Sequence, residues 1–449
     1  MIQNVIRKYD LRLPRYTSYP TTPHFSTTVE GEVYTGWLSS LPAESRLSLY
    51  VHIAYCAEMC WFCGCHTKIT RKYQPVADYL AAVLAEIDLV AQRLSGREVV
   101  GHIHFGGGSP TILSAEDFGR TIAHMRSRFA LAPEAEIAVE LDPRTTDTAY
   151  VAAMARAGVT RASIGVQDFD EAVQKAINRL QPHAVTCQVI ESLRAEGITA
   201  INMDLVYGLP HQTSASVVAM VDRAVALAPR RLSLFGYAHV PWMKKHQRLI
   251  DEAVLPDTAE RWRQYEAAHE RLTAHGYVAV GLDHYAAPDD ELALALREGR
   301  LHRNFQGYTT DQAMVLLGFG ASAIGSLPQG YVINEGEVTA YKRLVREGRL
   351  ATRRGIAVTA DDRLRRAVIE RLMCDMAVNL DAVAARFGME GGVFTPELNA
   401  LAGLEADGVL VRTGRTLRVT PAGRPLVRLV CAAFDRYLKA GEHRHSKAV

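Results

Sequence analysis

Four of the chain's seven cysteines fall within ten residues: Cys56, Cys60, Cys63 and Cys65, in the run CAEMCWFCGC. The first three have the spacing C-x3-C-x2-C. A [4Fe–4S] cluster has four irons and is usually held by four thiolates. Three ligands on one tight loop leave one iron open. The amino and carboxylate groups of S-adenosylmethionine are the known occupants of such an iron, so the motif points to radical chemistry rather than simple electron transfer. A structural zinc site would carry a second C-x2-C knuckle tens of residues away, and the sequence has none. Cys187, Cys374 and Cys431 stand alone in apolar, helix-like stretches and read as core thiols. His102 and His104 alternate on one expected strand, but no third ligand accompanies them.

The loop must be positioned by something, and the surrounding pattern supplies it. Short β-rich runs alternate with longer amphipathic stretches between about residues 47 and 285: SLYVHIA (48–54), GHIHF (101–105), EIAVEL (136–141), RASIGV (161–166), INMDLV (201–206) and RLSLFGY (231–237). This alternation predicts parallel β/α units, and six of them predict a partial, open barrel. VAVGLDHYA (278–286) is expected as one extra strand. In such barrels the chemistry sits at the carboxyl ends of the strands. Here those ends carry the cysteine loop, Gly106–Gly107–Gly108–Ser109–Pro110, Glu140 with Asp142, Gln167 with Asp168, Asp204, and Tyr237–Ala238–His239. The glycine run reads as backbone that can approach a ligand without a Cβ in the way. Glu140 and Asp204 could accept hydrogen bonds from an amine or ribose hydroxyls, and Arg179 offers a forked donor for a carboxylate.

Composition bounds the rest. With 449 residues, 48% hydrophobic, 22% charged and a net charge of +2, the chain reads as an ordinary globular enzyme with no bulk case for nucleic acid or anionic membrane. The uncharged stretch between Asp311 and Glu335 holds glycines and a proline that suit a buried turn and strand, not a membrane span. MIQNVIRKYDLRLPRY has no apolar signal core, so a cytoplasmic location with reduced thiols is expected.

Several segments make a more selective match. PRYTSYPT (14–21), SLYVHIAYC (48–56), CWFCGC (60–65), HFGGGSPT (104–111), GVQDF (165–169), DLVYGLP (204–210), LDHYA (282–286) and HRNFQGYTT (302–310), with the NR at 178–179 and YAH at 237–239, run through nearly the whole chain. On these the sequence resembles the oxygen-independent coproporphyrinogen III oxidase family of radical S-adenosylmethionine enzymes. The resemblance implies a partial (β/α)6 TIM-like barrel, an N-terminal arm over its mouth and a mainly helical, winged-helix-like C-terminal domain. The expected divisions are 1–40, 41–359 and 360–449. It implies that Cys56, Cys60 and Cys63 hold a [4Fe–4S] cluster and that two S-adenosylmethionine molecules bind. Tyr50, Gly107, Glu140 and Ile324 match positions around the cluster-bound molecule; Phe62, Gly108, Ser109, Gln167, Arg179, Asp204 and Ala238 match positions around the second. The family's equivalent of Cys65 is needed for activity without binding iron. Ala54, Trp61 and Ser109 depart from the family's usual proline, tyrosine and threonine, and none of these changes removes a ligand.

The implied reaction is oxidative decarboxylation of two propionates of coproporphyrinogen III to vinyl groups through a 5′-deoxyadenosyl radical, fed by a reduced donor such as flavodoxin or ferredoxin. A monomer is expected. A substrate with four carboxylates needs cations near the barrel mouth, and Arg15, His302 and Arg303 are candidates because they lie inside the selective segments. The C-terminal helix–helix–hairpin pattern is compatible with DNA binding, but the near-neutral charge favours a lid or clamp instead. One long last helix is expected over PAGRPLVRLVCAAFDRYL, and fraying over AGEHRHSKAV. A haem-binding chaperone on the same barrel is disfavoured by PRYTSYPT, CGC and HRNFQGYTT, and a methyltransferase or cyclopropane-forming enzyme by the whole-length similarity to the oxidase.

Overall fold

The computed structural model describes residues 8, 9, 12–389 and 392–438; the expected fraying of the last ten residues lies outside them. Its centre is six parallel strands: β1 Arg46–Ile53, β2 Val99–Gly107, β3 Ala130–Leu141, β4 Arg161–Gln167, β5 Ala200–Tyr207 and β6 Arg231–Gly236. They lie side by side in chain order, each joined to the next through helix on the outer face. The connecting helices include α2 Gln74–Ala91, α3 Ala115–Arg128, α4 Thr148–Ala157, α5 His183–Ala195 and α6 Ser214–Ala226; α7 Thr258–Ala274 follows β6.

The strands alternate sharply between two faces. On β1, Leu47, Leu49, Val51 and Ile53 are fully buried, while Ser48, Tyr50 and His52 occupy the alternate positions. The inward positions of the neighbouring strands carry His102 and His104, Glu136 and Glu140, Arg161 and Ser163, Asn202 and Asp204, and Arg231 and Ser233. The interior is therefore polar and hydrogen-bonded. Near the amino ends of the strands, Arg161 pairs with Glu136 at 2.8 Å and Arg231 with Asp290 at 2.7 Å. Such buried ion pairs close the barrel floor and leave the polar groups at the opposite end to face the site.

Four further strands extend the sheet on the β1 side: β9 Val315–Phe319, β10 Ile324–Leu327, β11 Gly330–Asn334 and β12 Thr352–Ala357. β9 is parallel to β1, with Tyr50 opposite Gly318; it falls in the uncharged stretch where a buried turn and strand were expected and makes a seventh parallel strand. On the β6 side lie two short strands, β7 Val278–Val280 and β8 His284–Ala286, where one strand was expected. Gly281, at φ +55°, turns the chain between them, and β8 runs antiparallel to β6. The twelve strands end in two free edges, so the barrel is open.

The ends of the chain close over this frame. A helix not expected from sequence, α1 Gly31–Ser39, follows the arm. After β12, α9 Ala360–Asp375 leads to a three-stranded sheet, Ala377–Asn379, Leu410–Thr413 and Thr416–Val419. The long last helix is not formed. A single 3₁₀ turn, Arg424–Leu426, precedes only six residues of α-helix, α10 Val427–Ala432. This short element is almost wholly buried.

Candidate active site

The ends of the six strands surround a cavity of about 1010 Å³. Cys56, Cys60, Cys63 and Cys65 line it together with Phe62, Gly107, Gly108, Ser109, Glu140, Gln167, Arg179, Asp204 and Ala238, and the arm contributes Arg15. Tyr50 and Ile324 stand outside this lining. Tyr50 lies on the inner face of β1, its hydroxyl 3.0 Å from His52 Nδ1; Ile324 packs beside Phe25 and Tyr331. His302 and Arg303 also stand outside it. His302 Nδ1 lies 3.0 Å from Glu370 Oε1 on α9, and Arg303 is stacked over Tyr308.

The cysteine loop is held from several sides. Trp61 N donates to Ile177 O (2.9 Å), and Asn178 Nδ2 to Met59 O (2.8 Å). Gln247 Nε2 donates to Phe62 O (3.0 Å) and to Ala238 O (3.3 Å), tying the loop to the segment after β6. His246 Nε2 lies 2.8 Å from Cys63 O, and Lys244 Nζ donates to Cys65 O at 3.0 Å. At the sulfurs, Thr67 Oγ1 donates to Cys56 (3.3 Å), and Arg144 Nη2 and Arg179 Nη1 donate to Cys60 (3.5 and 3.6 Å). Burial pushes the Cys56 thiol up to about 12, the Thr67 hydroxyl opposing it. Cys63 and Cys65 share a sulfur–sulfur hydrogen bond that holds Cys63 below the usual thiol range and Cys65 well above it.

Two expected roles change in detail. Arg179 is not a free fork: Nη2 donates to Gly165 O (2.7 Å), and both terminal nitrogens reach Asp142 at 3.4 Å. Burial opposes ionisation of Asp142, but Arg179 and Arg144 still hold its carboxyl below the usual range. Only Nε of Arg179 is buried without a hydrogen-bond partner. The glycine run, in turn, is required by packing. A Cβ on Gly107 would come within 2.7 Å of the His52 ring, and one on Gly108 within 2.5 Å of Tyr55 O. Their N–H groups are used internally, Gly107 toward Glu140 Oε2 (3.3 Å) and Gly108 toward Ile53 O (2.7 Å). The glycines let β2 and the cysteine loop approach closely.

The carboxylates face the cavity as expected. Glu140 Oε1 lies 3.1 Å from His104 Nε2. Asp204 accepts from Ser163 Oγ (3.0 Å) and Asn202 Nδ2 (2.8 Å); burial and the nearby Glu140 push its carboxyl up. Gln167 ends β4 at φ +70°, a conformation that costs a non-glycine residue free energy and here turns the strand end toward the cavity. Sequence reasoning missed Arg144 and Gln247 as parts of the site. Arg144 follows directly on the β3 end; Gln247 carries no local signal.

Among the described residues, no three His, Cys, Asp or Glu side chains converge on a single metal ion. A cubane cluster takes one thiolate per iron, so its ligands stand apart. Three thiols from one loop, facing a cavity lined also by the carboxylates of Glu58, Glu140, Asp142 and Asp204 and by Arg179, whose Nε has no hydrogen-bond partner, fit a cluster beside a zwitterionic ligand.

Residues 50–224 match the family model "Radical SAM superfamily", and residues 358–426 match "HemN C-terminal domain". Fold and cysteine loop thus define a radical S-adenosylmethionine protein, the class that uses a [4Fe–4S] cluster and S-adenosylmethionine. The chain is 52% identical to the oxygen-independent coproporphyrinogen III oxidase of Bradyrhizobium diazoefficiens, over 98% of this chain and 97% of that one. It is 40% identical to the Pseudomonas aeruginosa protein of the same name, over 99% and 98%. The solved coproporphyrinogen III oxidase of Escherichia coli superimposes with a TM-score of 0.91 at 37% identity, covering 95% of this chain and 100% of that one. The chain belongs to the oxygen-independent coproporphyrinogen III oxidase family.

Proposed function

We propose that this protein oxidatively decarboxylates two propionates of coproporphyrinogen III to vinyl groups, giving protoporphyrinogen IX without oxygen in haem biosynthesis. Each conversion releases one CO2 and removes one proton and two electrons from the ionised side chain, one electron leaving with the abstracted hydrogen. The observation that carries the reading is the three-cysteine loop at the mouth of the open barrel, in a chain whose full-length relatives bear this enzyme's name. When bound, the cluster and S-adenosylmethionine supply reductive cleavage to a hydrogen-abstracting radical.

The chain's own groups position and shield that chemistry. Cys56, Cys60 and Cys63 hold the cluster, while Thr67, Arg144 and Arg179 direct donors at its sulfurs. Glu140 and Asp204 accept from amine or ribose hydroxyls, and Gln167 and Ala238 complete the binding surface. We assign this surface to two S-adenosylmethionine molecules, with Tyr50 and Ile324 supporting the first from behind the cavity wall. The buried strand faces and the arm exclude water from the reacting side chain. The reading includes a reduced flavodoxin or ferredoxin as donor, a monomeric chain and a cytoplasmic location, which suits a labile cluster; among the described residues no helix is long and apolar enough to cross a membrane.

Anaerobic incubation of the cluster-loaded protein with coproporphyrinogen III, reductant and S-adenosylmethionine tests this by mass spectrometry. Two successive losses of CO2 plus two hydrogens are expected. An unchanged substrate, or one that gains a methylene, would remove the assignment.

A further inference from the structure

The three ligand sulfurs are not served alike. Thr67 Oγ1 donates to Cys56 Sγ at 3.3 Å and the Cys65 amide to Cys63 Sγ at 3.3 Å, both neutral donors. Cys60 is the buried one of the three, and it takes two guanidinium donors instead, Arg144 Nη2 at 3.5 Å and Arg179 Nη1 at 3.6 Å. Directly after β3, Asp142 caps the 3₁₀ turn Pro143–Thr145, accepting from Arg144 N at 3.1 Å. That turn folds Arg144 back on its own cap, where Nε and Nη2 hold the carboxylate at 3.0 and 2.7 Å. Arg179 arrives from the turn after the helix Glu171–Ala176 and is buried. Both of its terminal nitrogens reach the same carboxylate at 3.4 Å. A Cβ on Gly165 would come within 3.1 Å of Arg179 Nη2, so that glycine makes room for the guanidinium. One carboxylate thus holds two guanidinium groups against one sulfur.

The charges around that sulfur do not cancel. Asp142 offsets one of the two guanidinium charges. The other carboxylate nearby, Glu58, lies 3.9 Å from Arg144 Nη1, is half exposed, and is shared with the exposed Arg71 at 2.9 Å. Water screens charge at the surface more than in the interior, so Glu58 offsets less than the buried Asp142. Taking up one electron from a reductant adds one negative charge beside Cys60 and breaks no bond to the protein. Hydrogen bonds to the sulfurs and the net charge around them set the reduction potential of an iron–sulfur cluster. Charged donors act more strongly on such a sulfur than neutral ones.

We propose that Arg144 and Arg179, bridged by Asp142, raise the reduction potential of the cluster through Cys60, to where a protein donor can deliver the electron. The proposal rests on the cluster reading above and adds Arg144 as a positioning residue, with Asp142 as its counterweight. It makes the Asp-Pro-Arg run after β3 a redox element rather than a part of the substrate surface.

Redox titration of the cluster-loaded full chain without S-adenosylmethionine, followed by electron paramagnetic resonance of the reduced form, tests this. Arg144→Gln should keep its iron and shift the reduction equilibrium at least tenfold toward the oxidised form, about 59 mV for a one-electron couple. Arg144→Lys keeps the charge but not the forked grip, and should shift less in the same direction. Asp142→Asn removes the counterweight and should move the potential the opposite way. Shifts of the same sign in Arg144→Gln and Asp142→Asn would mean that both merely loosen the loop, and would overturn the proposal. Thermal melting and iron analysis accompany each variant. The Arg144 variants decide the matter if Asp142→Asn does not fold, and Arg144→Lys decides it if Arg144→Gln sheds iron. A folded, iron-replete Arg144→Gln protein with the wild-type potential overturns the proposal and leaves the function standing. Wild type that takes up no cluster overturns both.

Discussion

Cys63 and Cys65 are two residues apart and share a hydrogen bond, and the proposed function gives them different duties. Cys65 N donates to Cys63 Sγ at 3.3 Å, and Cys65 itself is exposed to the cavity. A side chain that touches a ligand sulfur but lies on the solvent side can act on substrate without holding iron. Cys65→Ala should therefore keep its iron content and the spectrum of its reduced cluster while decarboxylation falls at least a hundredfold. Cys63→Ala should lose iron outright. Iron analysis and electron paramagnetic resonance of the two variants check this, and loss of iron from Cys65→Ala would make it a ligand. These cysteines were legible in sequence because ligand spacing on one loop is a local property. Arg144 offered a weaker hint, an Asp-Pro-Arg run just after a strand. Gln247 offered none, since it reaches the site from a separate element and has no fixed spacing to anything it touches.

At the level of elements, the strand β9 is fixed beside β1 by one buried carboxylate. Glu86 of α2 accepts from Gly320 N (2.7 Å), Asn334 Nδ2 (2.7 Å) and Tyr341 Oη (2.7 Å), joining the ends of β9 and β11 to the helix Val338–Arg346. Burial outweighs these three donors and raises the Glu86 pKa from 4.5 to about 7. The folded state thus binds the proton more tightly than the unfolded chain does. Its contribution is full below about pH 4.5 and is lost as pH rises through about 7, amounting to about 3 kcal/mol. Wild type should lose melting temperature between about pH 5 and pH 8, and Glu86→Gln should flatten that part of the profile. An unchanged slope would place the titration elsewhere. The same elements show where sequence patterns fail. The six central strands were legible because β-rich runs between amphipathic helices leave few alternatives. β3 begins at Ala130, earlier than expected, because Ala130 and Leu131 pair with Val99 and Val100 before residues 132–135 bulge out of the ladder and pairing resumes at Glu136. α1 was missed because two glycines dilute its nine-residue pattern.

The whole molecule closes its site by bringing both ends of the chain to one place. Pro14–Ser18 and Thr21–Pro23 of the arm form part of the large cavity's wall. They are anchored on the C-terminal segment, where Tyr16 Oη donates to Asp435 Oδ2 at 3.1 Å and Arg436 N donates to Tyr19 Oη at 3.1 Å. The hairpin of His302–Asn304 and Gly307–Thr309 joins the same assembly through Tyr308 Oη, which accepts from Leu282 N and donates to Met373 O of α9, both at 2.9 Å. None of these contacts could be read from periodicity, because they depend on how the ends meet after the barrel has formed. They imply that the arm is a wall holding solvent and oxidant away from the cysteine loop. The proposed cluster ligands all lie within residues 56–63, so removing the arm should not prevent cluster assembly. A chain lacking its first 23 residues should therefore take up iron normally but bleach several-fold faster in air, followed through the visible absorbance of the cluster. It should also lose affinity for coproporphyrinogen III, because Arg15 leaves with the arm. Equal bleaching rates in the two chains would mean that the barrel strands alone shield the cluster and that the arm serves substrate only.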